Sequence, residues 1–212
     1  MLDIPFYKSI GHRCAESCVK SVINYYFPHK ENDLKEIGGL LKRKSGKLVY
    51  PVQIANALIN LGLDVDYYSS YGIERFLDLS LEEREKEFHM FYGESAKKIM
   101  KHTDFQTLKK SAEEILLRGY NGLSLKPDNI ECAFLEGKLI ICLLNYDLLV
   151  NREDNHNGHY TLITDIDNKN IYYHEVGPRM AEKNKRVEKE RFFYAWNKMC
   201  LFDEGTVIVS KQ

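Results

Sequence analysis

His12-Arg13-Cys14-Ala15-Glu16-Ser17-Cys18-Val19, continuing through Lys20-Ser21-Val22-Ile23-Asn24-Tyr25-Tyr26-Phe27-Pro28, is the stretch on which the reading of this chain turns. Val19, Val22, Ile23 and Tyr26 recur at helical spacing and predict one buried stripe. Pro28 marks the stop. Cys14 stands ahead of the stripe, in the first turn. There, unpaired backbone N–H groups and the positive end of the helix dipole favour an anion. The thiolate is the attacking form of cysteine, and a helix N-terminus lowers its pKa. Taken alone, the segment favours a plainer reading of Cys14 as a small buried apolar side chain, which is what most free cysteines are. Cys18, one turn on, faces inward with Val22 and reads as core.

Upstream, Ile4-Pro5-Phe6-Tyr7 is an extended lead-in, and residues 8–13, with Gly11, form a loop. Downstream, Asp33 to Leu41 reads as a short helix capped by Asn32 or Asp33 and broken by Ser45-Gly46-Lys47. Tyr50 to Leu61 is a third helix, with Pro51 in its first turn and Gly62 past its end. Val65 to Tyr68 is extended. Residues 72–122 change character. Glu74 to Glu87 is charge-dense, and Ala96, Ile99, Met100, Leu108, Ala112, Ile115 and Leu116 recur at three- and four-residue spacings. The pattern predicts two or three helices packed as an insertion, self-packing or serving as a lid, with Gly119, Gly122 and Pro127 punctuating the return.

Strand periodicity follows. Leu139 to Leu144 is a continuous apolar run, as expected of a central strand covered on both faces. Tyr160 to Ile166 alternates, Asn168-Lys169-Asn170 turns, and Ile171 to Glu175 is the next strand, ending near Gly177-Pro178. Glu182 to Arg191 reads as a charged, partly helical connector. Phe192 to Trp196 is an aromatic anchor, and Gly205 to Ser210 a last strand. Helices first and an antiparallel sheet afterwards give the class α+β, as a single domain over 1–212 with residues 72–122 inserted.

Composition narrows the function classes. The 212 residues, 44% hydrophobic and 29% charged, describe an ordinary globular chain. A net charge of −1, from 30 basic and 31 acidic residues, gives no electrostatic case for nucleic acid or an anionic membrane surface. The 14 tyrosines suit mixed packing or a groove that grips a peptide. No apolar run is long enough to cross a bilayer, and Met1 to Phe6 lacks the pattern of a secretion signal, so the expected location is cytoplasmic. The five cysteines, at 14, 18, 132, 142 and 200, form no CxxC pair and read as reduced thiols. Cys132, Cys142 and Cys200 read as structural. His12, Cys14, His156 and His159 match no zinc spacing, so no metal is expected. The basic runs at 42–44 and 183–186 read as solvated faces.

The chemistry-bearing constellation joins the first helix to the late strands. In Asn157-Gly158-His159-Tyr160-Thr161-Leu162-Ile163-Thr164, His159 follows a glycine at the start of a strand, so its imidazole can stand at the sheet end. Glu175 ends the next strand of the same hairpin, and cross-strand neighbours lie about 5 Å apart. Cysteine, histidine and carboxylate, in that order, are the parts that thiol-based acyl transfer needs, and no cofactor is called for. The backbone amide of Cys14 is positioned to meet an oxyanion. Each residue also has a plainer account: a half-buried hairpin histidine, a solvated strand-end acid. Asp167 and Asn168 compete for the third role.

Ile4-Pro5-Phe6-Tyr7, then Cys14-Ala15-x-x-Cys18 leading to Val22-Ile23-Asn24-Tyr25-Tyr26, resembles the amino end of the bacteriocin-leader (double-glycine) cysteine peptidases and their stand-alone relatives. Leu135-x-Gly137-Lys138-Leu139-Ile140-Ile141 is similar to that family's Gly-Lys-Pro-Val-Ile strand. Gly158 to Asp167 is similar to its catalytic-histidine strand, and Asn170 to Glu175 to a strand that usually closes with Asn-Asp-Pro. The resemblance covers residues 4–68 and 125–212. It implies a papain-like fold, with Cys14 as nucleophile, His159 as general base and Glu175 as orienting acid, acting on a peptide or protein. Three positions depart from the pattern. Lys8 stands where the family places its oxyanion-hole glutamine, about six residues before the cysteine. Ala15 replaces a glycine, and Glu175 replaces an aspartate. The leading expectation is a cofactor-free thiol hydrolase with an oxyanion hole formed by Lys8 and Cys14. A binding module that keeps the cleft without turnover is the second expectation, with Lys8 as its mark. Acyl transfer or deamidation by the same dyad is the third.

Overall fold

The apolar run becomes strand β2 (Leu139–Asn145), and every residue in it is buried. Its alternation divides two cores: Leu139, Ile141 and Leu143 face one, while Ile140, Cys142 and Leu144 face the other. In this computed structural model, which describes residues 1–69, 72–120, 125–198 and 205–211, β2 lies inside a six-stranded sheet. The order is β1 (Leu63–Tyr68), β6 (Thr206–Lys211), β2, β3 (Gly158–Ile166), β4 (Asn170–Glu175), β5 (Glu182–Glu188), and every neighbouring pair is antiparallel. β1, from the amino-terminal half, therefore joins the other strands only through β6. The class is α+β.

Helices α1 (Cys14–Tyr26) and α3 (Pro51–Asn60) bury their apolar stripes against one face. Cys18, Val19, Val22 and Ile23 are fully buried in that core. Each larger apolar side chain so placed stabilises the fold by about 1.5–3 kcal/mol. Between them, α2 (Leu34–Leu40) starts at Asp33, whose carboxylate accepts the N–H groups of Lys35 and Glu36 at 2.7 Å each, while Glu36 accepts that of Asp33. This reciprocal box selects Asp33 over Asn32 as the cap. The opposite face is covered by α8 (Pro127–Leu135), α9 (Tyr146–Leu149) and α10 (Lys189–Asn197), with Phe192, Phe193 and Trp196 as the aromatic anchor.

Residues 73–117 hold more elements than the spacing predicts: α4 (Ile73–Asp78), α5 (Leu81–Tyr92), a 3-10 turn (Gly93–Ser95), α6 (Ala96–His102) and α7 (Phe105–Leu117). The divisions come from single residues: Ser80 caps α5, Gly93 turns out at φ +52°, and Asp104 caps α7. The apolar period runs on across them because Phe88, Ala96, Leu108, Ala112 and Ile115 all enter the core shared with α1 and α3. Asn56 on α3 donates to the Ser111 carbonyl of α7 at 2.8 Å.

Two other segments differ from expectation. Tyr160 to Thr164 of β3 is buried throughout instead of alternating, because both faces of β3 are covered. Residues 182–188 form strand β5 instead of a partly helical connector, with α10 beginning only at Lys189. Charged side chains along β5 keep an exposed sheet edge from pairing with other chains. Gly122 and Cys200 lie outside the described residues. The lead-in runs along the hairpin: Leu2 N–H donates to the Thr164 carbonyl at 2.9 Å, and Ser9 N–H to the Val176 carbonyl at 2.8 Å.

Candidate active site

α1 begins at Cys14, and no side chain caps it at Arg13. Its first intrahelical hydrogen bond runs from Ser17 N–H to the Arg13 carbonyl at 3.0 Å, so the N–H groups of Cys14, Ala15 and Glu16 precede the ladder beside the sulfur. Neighbouring elements pin this turn. Arg13 Nη1 donates to the Leu34 carbonyl at 3.0 Å. Arg43 Nη1 donates to Glu16 Oε1 at 2.6 Å and Arg43 Nε to the Lys47 carbonyl at 3.1 Å. Glu16 is wholly buried, so Arg43 supplies the charge without which its carboxylate would be strongly disfavoured there.

His159 is the second residue of β3, opposite Leu144. Leu162 pairs with His174, and extending that register by one pair sets Glu175 opposite Thr161, diagonal to His159 on the same face. His159 Nε2 donates to Glu175 Oε1 at 2.7 Å, with the two side chains 12% and 1% exposed. Oε1 also accepts the Gly177 N–H at 2.9 Å. The Cys14 thiol and the His159 imidazole are close enough to act on each other's protonation, and the Tyr160 backbone also acts on the sulfur. Since Nε2 is committed to Glu175, Nδ1 is the nitrogen left to face the thiol. The rings of Tyr146 and His159 pack in a T-shaped arrangement, centroids 5.0 Å apart.

This geometry sets the protonation states. Burial by itself pushes the Cys14 thiol up, but the hydrogen bond and charge of His159, with the Tyr160 backbone bond, outweigh it and hold the thiol below its ordinary value. Burial pulls His159 down, while hydrogen bonds and charge from Cys14 and Glu175 prevail and push it up to about 10. Burial raises Glu175, but the His159 hydrogen bond and charge and the Gly177 N–H bring it below the usual carboxylate value. Each of the three shifts favours the charged form of its group.

Of the residues singled out from the sequence, Cys14, His159 and Glu175 come together here, whereas Lys8 is exposed in the lead-in. Asp167 is occupied in its own turn, accepting the N–H groups of Lys169 and Asn170 at 2.7 Å. Cys18 and Cys142 are buried in the cores, and Cys132 is exposed. Tyr146, Gly177 and the Arg43–Glu16 pair have no local signature that marks them as neighbours of the site. Among the described residues no group of three or more His, Cys, Asp or Glu could hold a metal ion, and no helix is long and apolar enough to cross a membrane.

The segment that leads to His159 is heavily tied. Asp147 Oδ2 accepts Asn155 N–H at 3.2 Å and Asn157 Nδ2 at 2.7 Å, and Asp154 Oδ1 accepts Asn145 Nδ2 at 2.7 Å. Tyr92 at the end of α5 meets the ring of His156, centroids 6.0 Å apart, so α5 touches the loop that leads to His159.

No protein-family model matches the chain, and no curated protein matches it. Among solved structures it is similar to a Bacillus anthracis protein described as a C39-like peptidase, with a TM-score of 0.55 at 12% identity, covering 99% of this chain and 96% of that one. It is also similar to a double-glycine-motif protease from an AMS/PCAT transporter, solved in complex with the leader peptide (TM-score 0.49, 12% identity, 99% and 93% coverage). A third similar structure is the peptidase domain of Streptococcus ComA, a bifunctional ABC transporter involved in quorum sensing (TM-score 0.48, 12% identity, 97% of each chain). At such identity likeness establishes the fold, and the first of the three carries it: a papain-like α+β arrangement spanning nearly the whole chain.

Proposed function

We propose that this chain is a cysteine-peptidase-like hydrolase that opens a peptide or other amide bond through a thioester on Cys14. The observation that carries the reading is an imidazole held between a thiol and a carboxylate, with His159 Nε2 2.7 Å from Glu175 Oε1 and its other nitrogen left for Cys14.

The Cys14 thiolate attacks the substrate carbonyl carbon, and the carbonyl electron pair moves to oxygen. That oxyanion is met by the Cys14 N–H at the start of α1, with Lys8 as the second contributor. As the C–N bond breaks, the nitrogen takes the proton from His159 Nδ1 and the amine departs, leaving a thioester. A water then gives its proton to Nδ1 and attacks the thioester carbon, and Cys14 leaves again as thiolate. Glu175 keeps the ring in one orientation throughout and supports its positive form. The free thiols of Cys14, Cys18, Cys132 and Cys142 support a reducing, cytoplasmic setting, and we take a peptide or protein as the substrate. We take the chain as one domain, with residues 72–122 as its helical insertion.

Iodoacetamide labelling tests the chemistry: below pH 8, Cys14 should alkylate far faster than the exposed Cys132. Equal, slow labelling of the two would overturn the proposal.

Lys8 supports a second reading, a binding module that keeps the cleft without turnover, because a lysine there replaces the glutamine of the resembled family. A Lys8→Gln chain that gains hydrolysis would favour it; one that loses hydrolysis would make the lysine a participant.

A further inference from the structure

The turn after β4, Glu175-Val176-Gly177-Pro178, confines the site's carboxylate with its own backbone. Glu175 Oε1 accepts both His159 Nε2 at 2.7 Å and Gly177 N–H at 2.9 Å. A Cβ placed on Gly177 would lie 2.9 Å from that same oxygen and 3.7 Å from His159 Cε1. Gly177 does not occupy the left-handed region, so space and not backbone conformation calls for glycine here. The turn is held in place, since Val176 is fully buried and its carbonyl accepts Ser9 N–H at 2.8 Å. What yields to an added methyl is therefore the end of the Glu175 side chain, the part that holds His159.

We propose that Gly177 is a positioning residue: its bare backbone seats the Glu175 carboxylate on His159, and a side chain at 177 uncouples the imidazole from its acid while the fold persists. The pairing also accounts for the glutamate. Its carboxylate reaches one methylene further than an aspartate's would, into space that is open only because residue 177 has no Cβ. This inference rests on the reading of His159 as the proton carrier.

The test follows the His159 ring by NMR titration in the full chain, together with the pH dependence of Cys14 alkylation, in Gly177→Ala, Glu175→Asp and the double variant. In Gly177→Ala, His159 should titrate at least about one pH unit lower than in the parent, a tenfold loss of imidazolium at pH values above both midpoints, with the melting temperature within a few degrees. In the Glu175→Asp background the shorter acid has already vacated the space, so Gly177→Ala should add little further shift. Equal shifts in both backgrounds, an unchanged His159, or a shift seen only with loss of the folded state would each overturn the assignment. A parent His159 titrating near its ordinary 6.5 would overturn the proposed chemistry as well, which separates the two failures.

Discussion

The rim of the sheet and its interior each hold a thiol and an imidazole. Cys14 and Cys18 lie one turn apart on α1, and His159 and His174 lie on neighbouring strands of one hairpin. Inside, burial pushes Cys18 well up, and the negative charges of Cys14 and Glu175 push it further. Burial likewise pulls His174 down, even though the Ile4 carbonyl, 3.1 Å from its Nε2, supports the proton. At the rim burial acts with the same sign, yet both groups move the other way: the thiol falls and the imidazole rises. Burial is thus not what separates the two pairs. A complementary partner within hydrogen-bond reach does so, and each rim group is the other's partner.

The contrast breaks most completely in Cys14→Ala, which should abolish rapid alkylation and any hydrolysis while leaving the melting temperature within a few degrees. Labelling followed by peptide mass analysis, beside a thermal melt, checks both halves. Glu175→Gln keeps the shape but removes the charge behind His159. Alkylation of Cys14 near neutral pH should slow by about tenfold to a hundredfold, the worth of one hydrogen bond to a charged group. Raising the pH reaches the same pair from another side. His159 loses its proton near 10, so turnover should show an alkaline limb there, because no proton remains for the departing amine. In Glu175→Gln that limb should move to lower pH.

The interior members sharpen the comparison through stability. Cys18→Ala should leave Cys14 labelling intact and cost about 1–2 kcal/mol of folding free energy, read from urea midpoints, since it only empties core volume. The smallest effect belongs to His174. Its folded pKa lies below its unfolded value, so its contribution is complete above about 6.5 and is lost as the pH falls through the folded value. The urea midpoint should drop between pH 7 and pH 5, and less so in His174→Gln.

Much of this architecture is legible in patterns that repeat. The α1 stripe and the unbroken run of β2 each state a period and a degree of burial, and the order Cys14, His159, Glu175 names the parts of the site. Single residues and pairings between distant strands leave no such trace. The caps at Ser80 and Asp104 divide an apolar period that runs straight through them. The alternation within β5 is hidden because most of its side chains are charged. Which imidazole nitrogen faces the thiol depends on a diagonal pairing across β3 and β4. Gly177 reads locally as a strand-end turn, and only the folded hairpin sets it against the glutamate.

β6 carries none of the reacting groups, yet it is the seam between β1 and β2. A chain cut before residue 206 would keep the thiol, the imidazole and the carboxylate while leaving β1 with no strand to pair with and one side of β2 bare. The amino-terminal half and the hairpin half would then lack the strand that stitches them into one sheet. Completion of the sheet during synthesis is therefore timed by a stretch of ordinary valines and isoleucine, after every group of the candidate site has been made.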